Sequence, residues 1–438
     1  MPASSKRSRQ SLGPFMGGPE GPMDAKSGSQ YFQQAIDYFQ DKVNIKGEAW
    51  DSLWQGQHAA AFTVAGAMKD DLLCDLRQSV DKAISEGMSL ASFRHQFKEI
   101  VAKHGWTGFT GEGSKAGVAW RAKVIYDTNM RQAYNAGRWQ QLQRFDVWVY
   151  RHGDSRSPRP EHLSWNGLAL SKDDPWWQTH FPQNGWGCKC RVEGYSKVRA
   201  KLNGIEIGHA PDDGTYEYVN KKTGEVMQVP KGIDPGFDYS VGEAKFGRRL
   251  SQDEYDFWKD DPARWQKLTP GDWQTAQRPA RVPLRDLPIK LGHRLHDHSA
   301  VVDELRLVLG ADKAAMETPM GQIVIDAVFL GKHIDPARSE FLPLLPDALT
   351  RPFEIWQGFE QHRGTGQMVI RNRFITAYDV GKGRGILVVA EVLKGKLQAW
   401  TFIPVKPGYL QRQRVGMLLW GEGSDLAHAA ESAGAGEN

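Results

Sequence analysis

Between Val147 and Tyr195 the chain gathers five tryptophans, four prolines, three histidines and two cysteines. Pro158, Pro160, Pro175 and Pro182 rule out a continuous helix, because proline lacks an amide donor and clashes with the preceding turn. A segment so broken and so aromatic has few aliphatic side chains with which to build a core. Something other than regular secondary structure has to hold it.

A metal ion meets that need. Thiolates at Cys188 and Cys190 with the His162 imidazole supply three soft or borderline ligands, and Asp154, His152 or His180 could complete a tetrahedral structural Zn2+ site. Such an ion contributes on the order of 10 kcal/mol to folding, enough to order a loop-rich segment. The alternative is a pair of reduced thiols packed among tryptophans, with hydrogen-bonded histidines beside them. A Cys188–Cys190 disulfide is disfavoured, since one intervening residue strains the bridge.

The chain has 438 residues, 40% hydrophobic and 25% charged, which suits two or three globular domains. A net charge of +4 is too small over this length to indicate nucleic-acid binding, so the distribution of charge carries more information than its sum. Three cysteines fit a reducing compartment and not a disulfide scaffold. No apolar run is long enough to span a bilayer, so no membrane partner is expected. The basic N-terminus has no apolar core behind it and reads as a tail over 1–29, not a secretory signal.

Periodicity gives an α+β multidomain chain. From Gln30 to His104 the pattern is helical, with stripes at Tyr31, Ala35, Ile36, Phe39 and at Leu72, Leu73, Leu76, Val80, Ile84. Gly87 and Gly105 mark helix ends, and Ser89 an N-cap. A long helix is expected over about Ala116–Phe145, with Arg121, Lys123, Arg131, Arg138 and Arg144 forming a basic face open to DNA or to solvent. Val147–Tyr150 reads as a strand and Tyr216–Val229 as a β-hairpin. A short helix is expected at Gln252–Trp265, and residues 241–289 as a helix followed by a Pro-rich linker. A smaller helix-plus-antiparallel-sheet domain follows over 290–420. It has a helix at Val301–Leu309, a strand over Gln322–Leu330 and a Pro-interrupted helix over His333–Leu349. Strands are expected near Glu354–Trp356, Met368–Val380, Gly385–Val392 and Leu397–Ile403. A basic loop (KPGYLQRQRVGMLLW) and a small polar tail over 421–438 then close the chain.

The order of motifs over roughly 30–240 resembles the phage Mu F-like head morphogenesis family. The carrying residues are Arg159-Pro160-x-His162, Trp165-x-Gly167, Asp174-Pro175-Trp176-Trp177 and Pro182-x-Asn184-Gly185-Trp186-Gly187-Cys188-x-Cys190. Trp54–Met68 and Tyr126–Gly137 resemble it further upstream. The resemblance implies a minor capsid protein at the portal or inside the phage head, present in the virion and in the host cytoplasm, with portal and capsid proteins as partners.

The C-terminal part carries different chemistry. From Thr350 to Trp420 there are eleven Lys or Arg against four Asp or Glu. Lys382, Arg384, Arg412 and Arg414, with Tyr409 to stack a base, suit a nucleic-acid ligand, either RNA or packaged DNA. A sheet edge made basic against aggregation is the plainer alternative. Residues 290–420 resemble the phage nuclease domains grouped with barnase, EndoU, colicin and RelE-type ribonucleases. The resemblance rests on Gly331-Lys332-His333, Arg338-x-Glu340-Phe341-Leu342, Leu349-x-Arg351-Pro352-x-Glu354-Ile355-Trp356, Arg371-x-Arg373-Phe374, Trp400-Thr401-Phe402 and Arg412-x-Arg414. It implies RNA cleavage with no metal or other cofactor. His333 would act as base or acid with Glu340 as its partner (His362 being a rival), Arg351, Arg371 and Arg373 would hold phosphate oxygens, and Thr401 would donate to the phosphate. The competing expectation is a purely structural head protein that grips DNA or the portal without turnover. A zinc hydrolase centred on the Cys/His segment lacks a well-placed general base.

Overall fold

The computed structural model describes residues 32–155, 157–220, 224–250, 264–380, 384–393 and 396–424, with the side chains of 333, 391–393 and 396–403 outside the description. The N-terminal half is built on four helices. Helix α1 (Gln33–Gln40) buries Ala35, Ile36, Tyr38 and Phe39. Helix α2 (Asp70–Glu86) opens on two acids and stops at Gly87, which takes the left-handed conformation. Ser89 caps α3 (Leu90–His104) and Ser114 caps α4 (Lys115–Leu142), each accepting from an amide of the first turn. The apolar stripes meet in one core containing Leu72, Leu73, Leu76, Val80, Phe93, Phe97 and Ala133. The basic face expected on α4 is not continuous. Arg121 turns inward and donates to the Ala65 carbonyl at 2.7 Å, buried against the preceding loop.

The Trp/Cys/His segment then adds a small antiparallel sheet, with β1 (Val147–Arg151) between β2 (Ala169–Ser171) and β3 (Arg191–Tyr195). Trp148, Trp165, Trp176, Trp177 and Phe181 form a core of their own with Tyr150. Each of these four indole N–H groups finds an acceptor. Trp148 donates to the Leu142 carbonyl, Trp177 to the Ser171 carbonyl, and Trp165 and Trp176 to the two Asp213 oxygens. The expected hairpin is present as β4 (Thr215–Val219) and β5 (Val226–Pro230), followed by α5 (Val241–Phe246).

The helix expected over Gln252–Trp265 falls almost entirely outside the described residues. Beyond it, the segment read as a Pro-rich linker is packed. Strand β6 (Trp265–Lys267) pairs with the large sheet, Val282 is buried, and the Arg285 amide donates to the Ala377 carbonyl. The prolines there set an extended course across the sheet and do not free it. Helix α6 (His298–Leu309) is capped by Asp297. Strands β7 (Lys313–Thr318) and β8 (Gly321–Asp326) form a hairpin. The strand expected over Gln322–Leu330 ends at Asp326, whose carboxylate accepts from the Phe329 amide and starts α7 (Ala327–His333). An apolar run crossing from strand to helix conceals that boundary from periodicity alone. A 3-10 helix (Pro336–Leu344) and α8 (Leu345–Thr350) lead into β9 (Glu354–His362), β10 (Met368–Tyr378), β11 (Arg384–Leu393) and β12 (Lys396–Val405). The segment expected as a basic loop forms α9 (Pro407–Gln413), with Pro407 in its first turn, and β13 (Met417–Gly421).

The sheet runs β13-β9-β10-β11-β12-β8-β7, with β6 also on β9, antiparallel except where β8 meets β12. Side chains alternate along β10. Phe374 and Tyr378 enter the core under the helices, whereas Ile375 and Ala377 face the opposite core with Trp356, Leu387 and Leu410. The far end of the β9–β10 pair leaves this domain altogether. Phe359, Met368 and Ile370 are buried in the N-terminal helical core beside Val241 and Ala244. No described helix is long and apolar enough to cross a membrane.

Candidate metal centre and the basic sheet

Strand β1 ends at His152-Gly153, the short helix Pro160–Ser164 presents His162, and Cys188 and Cys190 lie just before β3. Only a glycine permits the first of these approaches, since a Cβ on Gly153 would sit 2.0 Å from the Lys189 carbonyl oxygen. The result is a buried cluster in which the ligand atoms of His162, Cys188 and Cys190 all lie within 4.8 Å of one another. The His162 Nδ1 is 3.5 Å from Cys190 Sγ and 3.9 Å from Cys188 Sγ, and the His152 Nδ1 is 3.7 Å from Cys190 Sγ. A tetrahedral zinc ion with ordinary Zn–S and Zn–N bonds holds such atoms about 3.6 Å apart. The spacings fit that ion without rearrangement of the chain.

The second nitrogen of His162 is also fixed. Its Nε2–H donates to the Gly232 carbonyl at 2.8 Å, and the ring stacks on Trp165 with centroids 5.1 Å apart. That bond assigns the tautomer and leaves the Nδ1 lone pair facing the sulfurs, the usual outer support of a metal-ligating histidine. Gly232 has φ +83, and a Cβ there would strike Glu161 and Trp165. The Cys188 thiol donates toward Cys190 and, helped by the Tyr150 hydroxyl and the Gly153 amide, holds Cys190 down to about 7 against the opposing effect of burial. The same bond, reinforced by burial, pushes Cys188 up. Burial and the neighbouring His162 hold His152 below its ordinary value.

Asp154, expected as a possible fourth ligand, is exposed and outside the cluster, and His152 from the same loop takes the nearer place. His180 belongs to a different network. It stacks on Trp176 at 4.2 Å, lies 3.5 Å from Asp213, and is pushed down to about 4 by burial. The three mutually close groups are two thiols and an imidazole, with His152 beside Cys190, a donor set of the kind that holds structural zinc.

The basic sheet turns out differently. Arg371 and Arg373 share one face of β10 and are both buried against Glu360, Arg371 at 2.8 Å with its guanidinium 3.9 Å above the Trp265 ring. Burial lowers Arg373 to about 10. Arg414, fully buried, makes a bidentate pair with Glu354, each bond 2.6 Å, and Arg278 joins the same carboxylate at 2.8 Å. The Trp356 indole donates to that carboxylate too. These arginines neutralise interior acids and are not available to phosphate. Arg351 pairs with Asp347, which also accepts from the Tyr378 hydroxyl. His362 is engaged in its own turn, accepting from the Thr365 amide.

Helix α7, which ends at His333, packs on the helical face of the sheet through Leu330, opposite the face holding Arg371 and Arg373. The His333 side chain lies outside the described residues, as does all of Lys382. Thr401 is placed only as the backbone partner of Val389 on β11, its side chain being undescribed. Glu340 lies with Arg294 at 3.1 Å and Arg384 at 3.5 Å. The Arg412 guanidinium covers the exposed Tyr409 ring at 5.4 Å. Of the residues expected to cut RNA whose side chains are described, Arg371 and Arg373 lie on one face against Glu360, while Glu340 and Arg351 are paired elsewhere, with Arg294 and Asp347. Strand parity gives the shared face of Arg371 and Arg373. Nothing local in the sequence reveals that Glu360 already occupies them, or that Glu354 occupies Arg414.

Residues 75–193 match the family described as Phage Mu protein F like protein, and residues 300–421 match the phage-Barnase-EndoU-ColicinE5/D-RelE like nuclease2 family. The chain is 33% identical over 246 residues to protein F of Escherichia phage Mu, a provisional capsid assembly protein by name, covering 49% of this chain and 55% of that protein. It is 31% identical over 222 residues to the Mu-like prophage FluMu F protein of Haemophilus influenzae, covering 45% of this chain and 53% of that one. The chain thus spans about half the length of the curated relatives it matches. No solved structure matches it.

Proposed function

We propose that this chain, Mu F-like in its first half and nuclease-like in its last third, is a phage head-assembly protein that carries an RNA-cleaving domain with it into the virion. The observation supporting the reading is the shared core. Phe359, Met368 and Ile370 of the nuclease-like sheet are buried among the helices of the Mu F-like half, so the C-terminal domain is seated on the head-assembly part. Capsid and portal proteins are its partners, and its places are the virion and the cytoplasm of the infected host.

For cleavage, the helical face offers the helix of His333 with Glu340, Arg294 and Arg384, which suit proton transfer and phosphate charge. The test uses the full chain, because β6 and the 268–285 segment complete the sheet from outside the nuclease-like region. Cellular RNA is incubated in buffer with no added divalent ion and no chelator, since a chelator would also strip the Cys/His site. The expected result is fragmentation by the wild type, lost in His333→Ala with the fold intact by circular dichroism. Intact RNA in both samples overturns the nuclease.

One observation favours a second reading, in which the domain binds nucleic acid or portal without turnover. The cations expected to hold phosphate are already paired with Glu354, Glu360 and Asp347. That version gives salt-sensitive, sequence-indifferent DNA binding through the remaining surface groups, Arg384, Tyr409 and Arg412, and no product.

The Mu F-like half, in the same proposal, is pinned by zinc held by Cys188, Cys190, His162 and His152. The ion would fasten the end of β1, the Pro160–Ser164 helix and the start of β3, three pieces with little aliphatic core between them. Zinc content of the purified chain, measured by atomic absorption, is expected at one equivalent, falling to none in Cys190→Ser.

A further inference from the structure

We propose that the cavity between the 42–65 segment and α4 binds a carboxylate. Its walls include Lys42, Arg121, Trp50, Trp54, Trp186 and Phe237, and no Asp or Glu is among the described residues that line it. Lys42 is 1% exposed. Among the described residues, its ammonium reaches the Gln132 side-chain oxygen at 3.5 Å and the faces of the Tyr38 and Phe39 rings. Arg121, 9% exposed, uses one terminal nitrogen on the Ala65 carbonyl and leaves its Nε without a partner. The Trp54 indole N–H and the Thr63 hydroxyl, in the same walls, are unpartnered as well.

An interior holding two cations, several idle donors and no acid is unfavourable as it stands. Buried charges are ordinarily paired, and an unpaired one is strongly destabilising. The same molecule shows the contrast, since every buried arginine of the C-terminal sheet has its glutamate. A carboxylate entering the cavity would supply the missing charge and accept from these donors. The aromatic mouth, where Trp50 and Trp186 are 40% and 43% exposed and meet edge to face at 6.4 Å, suits an apolar body behind that carboxylate. The ligand class is therefore an apolar acid, either a free small molecule or the C-terminal residue of a partner chain.

The experiment titrates the full chain with benzoate, and with benzamide as a neutral isostere, at constant ionic strength, following tryptophan fluorescence and the thermal midpoint. Benzoate is expected to raise the midpoint saturably, and benzamide to leave it unchanged. Lys42→Met is expected to be more stable than wild type without ligand, yet to bind benzoate at least tenfold more weakly. This opposition of signs is not produced by a residue that serves the fold alone. Trp54→Phe, which removes the idle donor together with part of the ring that stacks on Tyr218, is expected to fold and to lose a few-fold in affinity. Acetyl-leucine against its amide then separates the sources: tighter binding of acetyl-leucine than of benzoate points to a chain terminus, and the reverse to a small acid. Equal responses to benzoate and benzamide, a response to inorganic phosphate alone, or wild-type benzoate binding by Lys42→Met overturns the site.

Discussion

The Cys/His centre and the C-terminal sheet are each rich in groups that chemistry could use, yet the fold treats them in opposite ways. In the first, three residues expected together from spacing are brought within 4.8 Å, with the His162 proton parked on a backbone carbonyl. In the second, arginines expected to point at a ligand are turned inward onto glutamates. The candidate ligands all lie between residues 152 and 190, on three short pieces around one small sheet that brings them together. A cation's role depends on where the nearest acid ends up, and here Glu354 and Arg414 are sixty residues apart. Counting charge along a chain cannot distinguish a phosphate site from an interior ion pair.

The sharpest way to break this comparison is to remove the ion proposed for the first region. Chelation, or Cys190→Ser, is expected to lower the stability of the Mu F-like half by several kcal/mol, up to on the order of 10. Calorimetry checks this, and a chelator should leave the Cys190→Ser midpoint where it is. An unchanged wild-type midpoint in chelator would make the cluster a pair of packed thiols. Next in size, Glu354→Gln should cost about 3–5 kcal/mol, because it strands Arg278 and Arg414 in the interior. Urea denaturation measures that loss. Glu360→Gln should behave alike through Arg371 and Arg373. If both variants kept full stability but lost nucleic-acid binding, the arginines would be ligand groups after all.

A smaller effect comes from Lys42, which burial holds down to about 7 from an ordinary 10.5. The unfolded chain therefore binds this proton more tightly than the folded one between those values, so the group makes stability rise with pH from about 7 to about 10.5. Unfolding free energies of wild type minus Lys42→Met across that range are expected to show the rise. A flat difference would mean that Lys42 titrates as if exposed. Smallest of all, Asp154→Asn should leave zinc content unchanged, whereas His152→Ala should weaken zinc retention in competition with a chelator. The reverse result would exchange the two as fourth ligand.

Much of the architecture is legible before any coordinates. The stripes of α1 to α4, the cap at Ser89, the β1 strand and the β4–β5 hairpin follow from periods of 3.6 and 2 and from local capping chemistry. The end of β8 at Asp326 and the α9–β13 pair are not legible, because an apolar run reads alike in helix and strand and β13 exists only by pairing with β9. The packed course of 265–285 is hidden for the same reason, since prolines specify an extended chain but not what it lies against.

What the sequence alone brought forward is a set of candidate ligands, Cys188, Cys190 and His162, in a stretch whose prolines and indoles leave few other ways to be held. Tertiary structure decided which histidine stands beside them, which arginines are spent on interior acids, and that Lys42 and Arg121 face one cavity with no acid in it. The physical reason is range. Propensity and capping act within a few residues, whereas charge pairing and burial depend on neighbours that only the folded chain supplies.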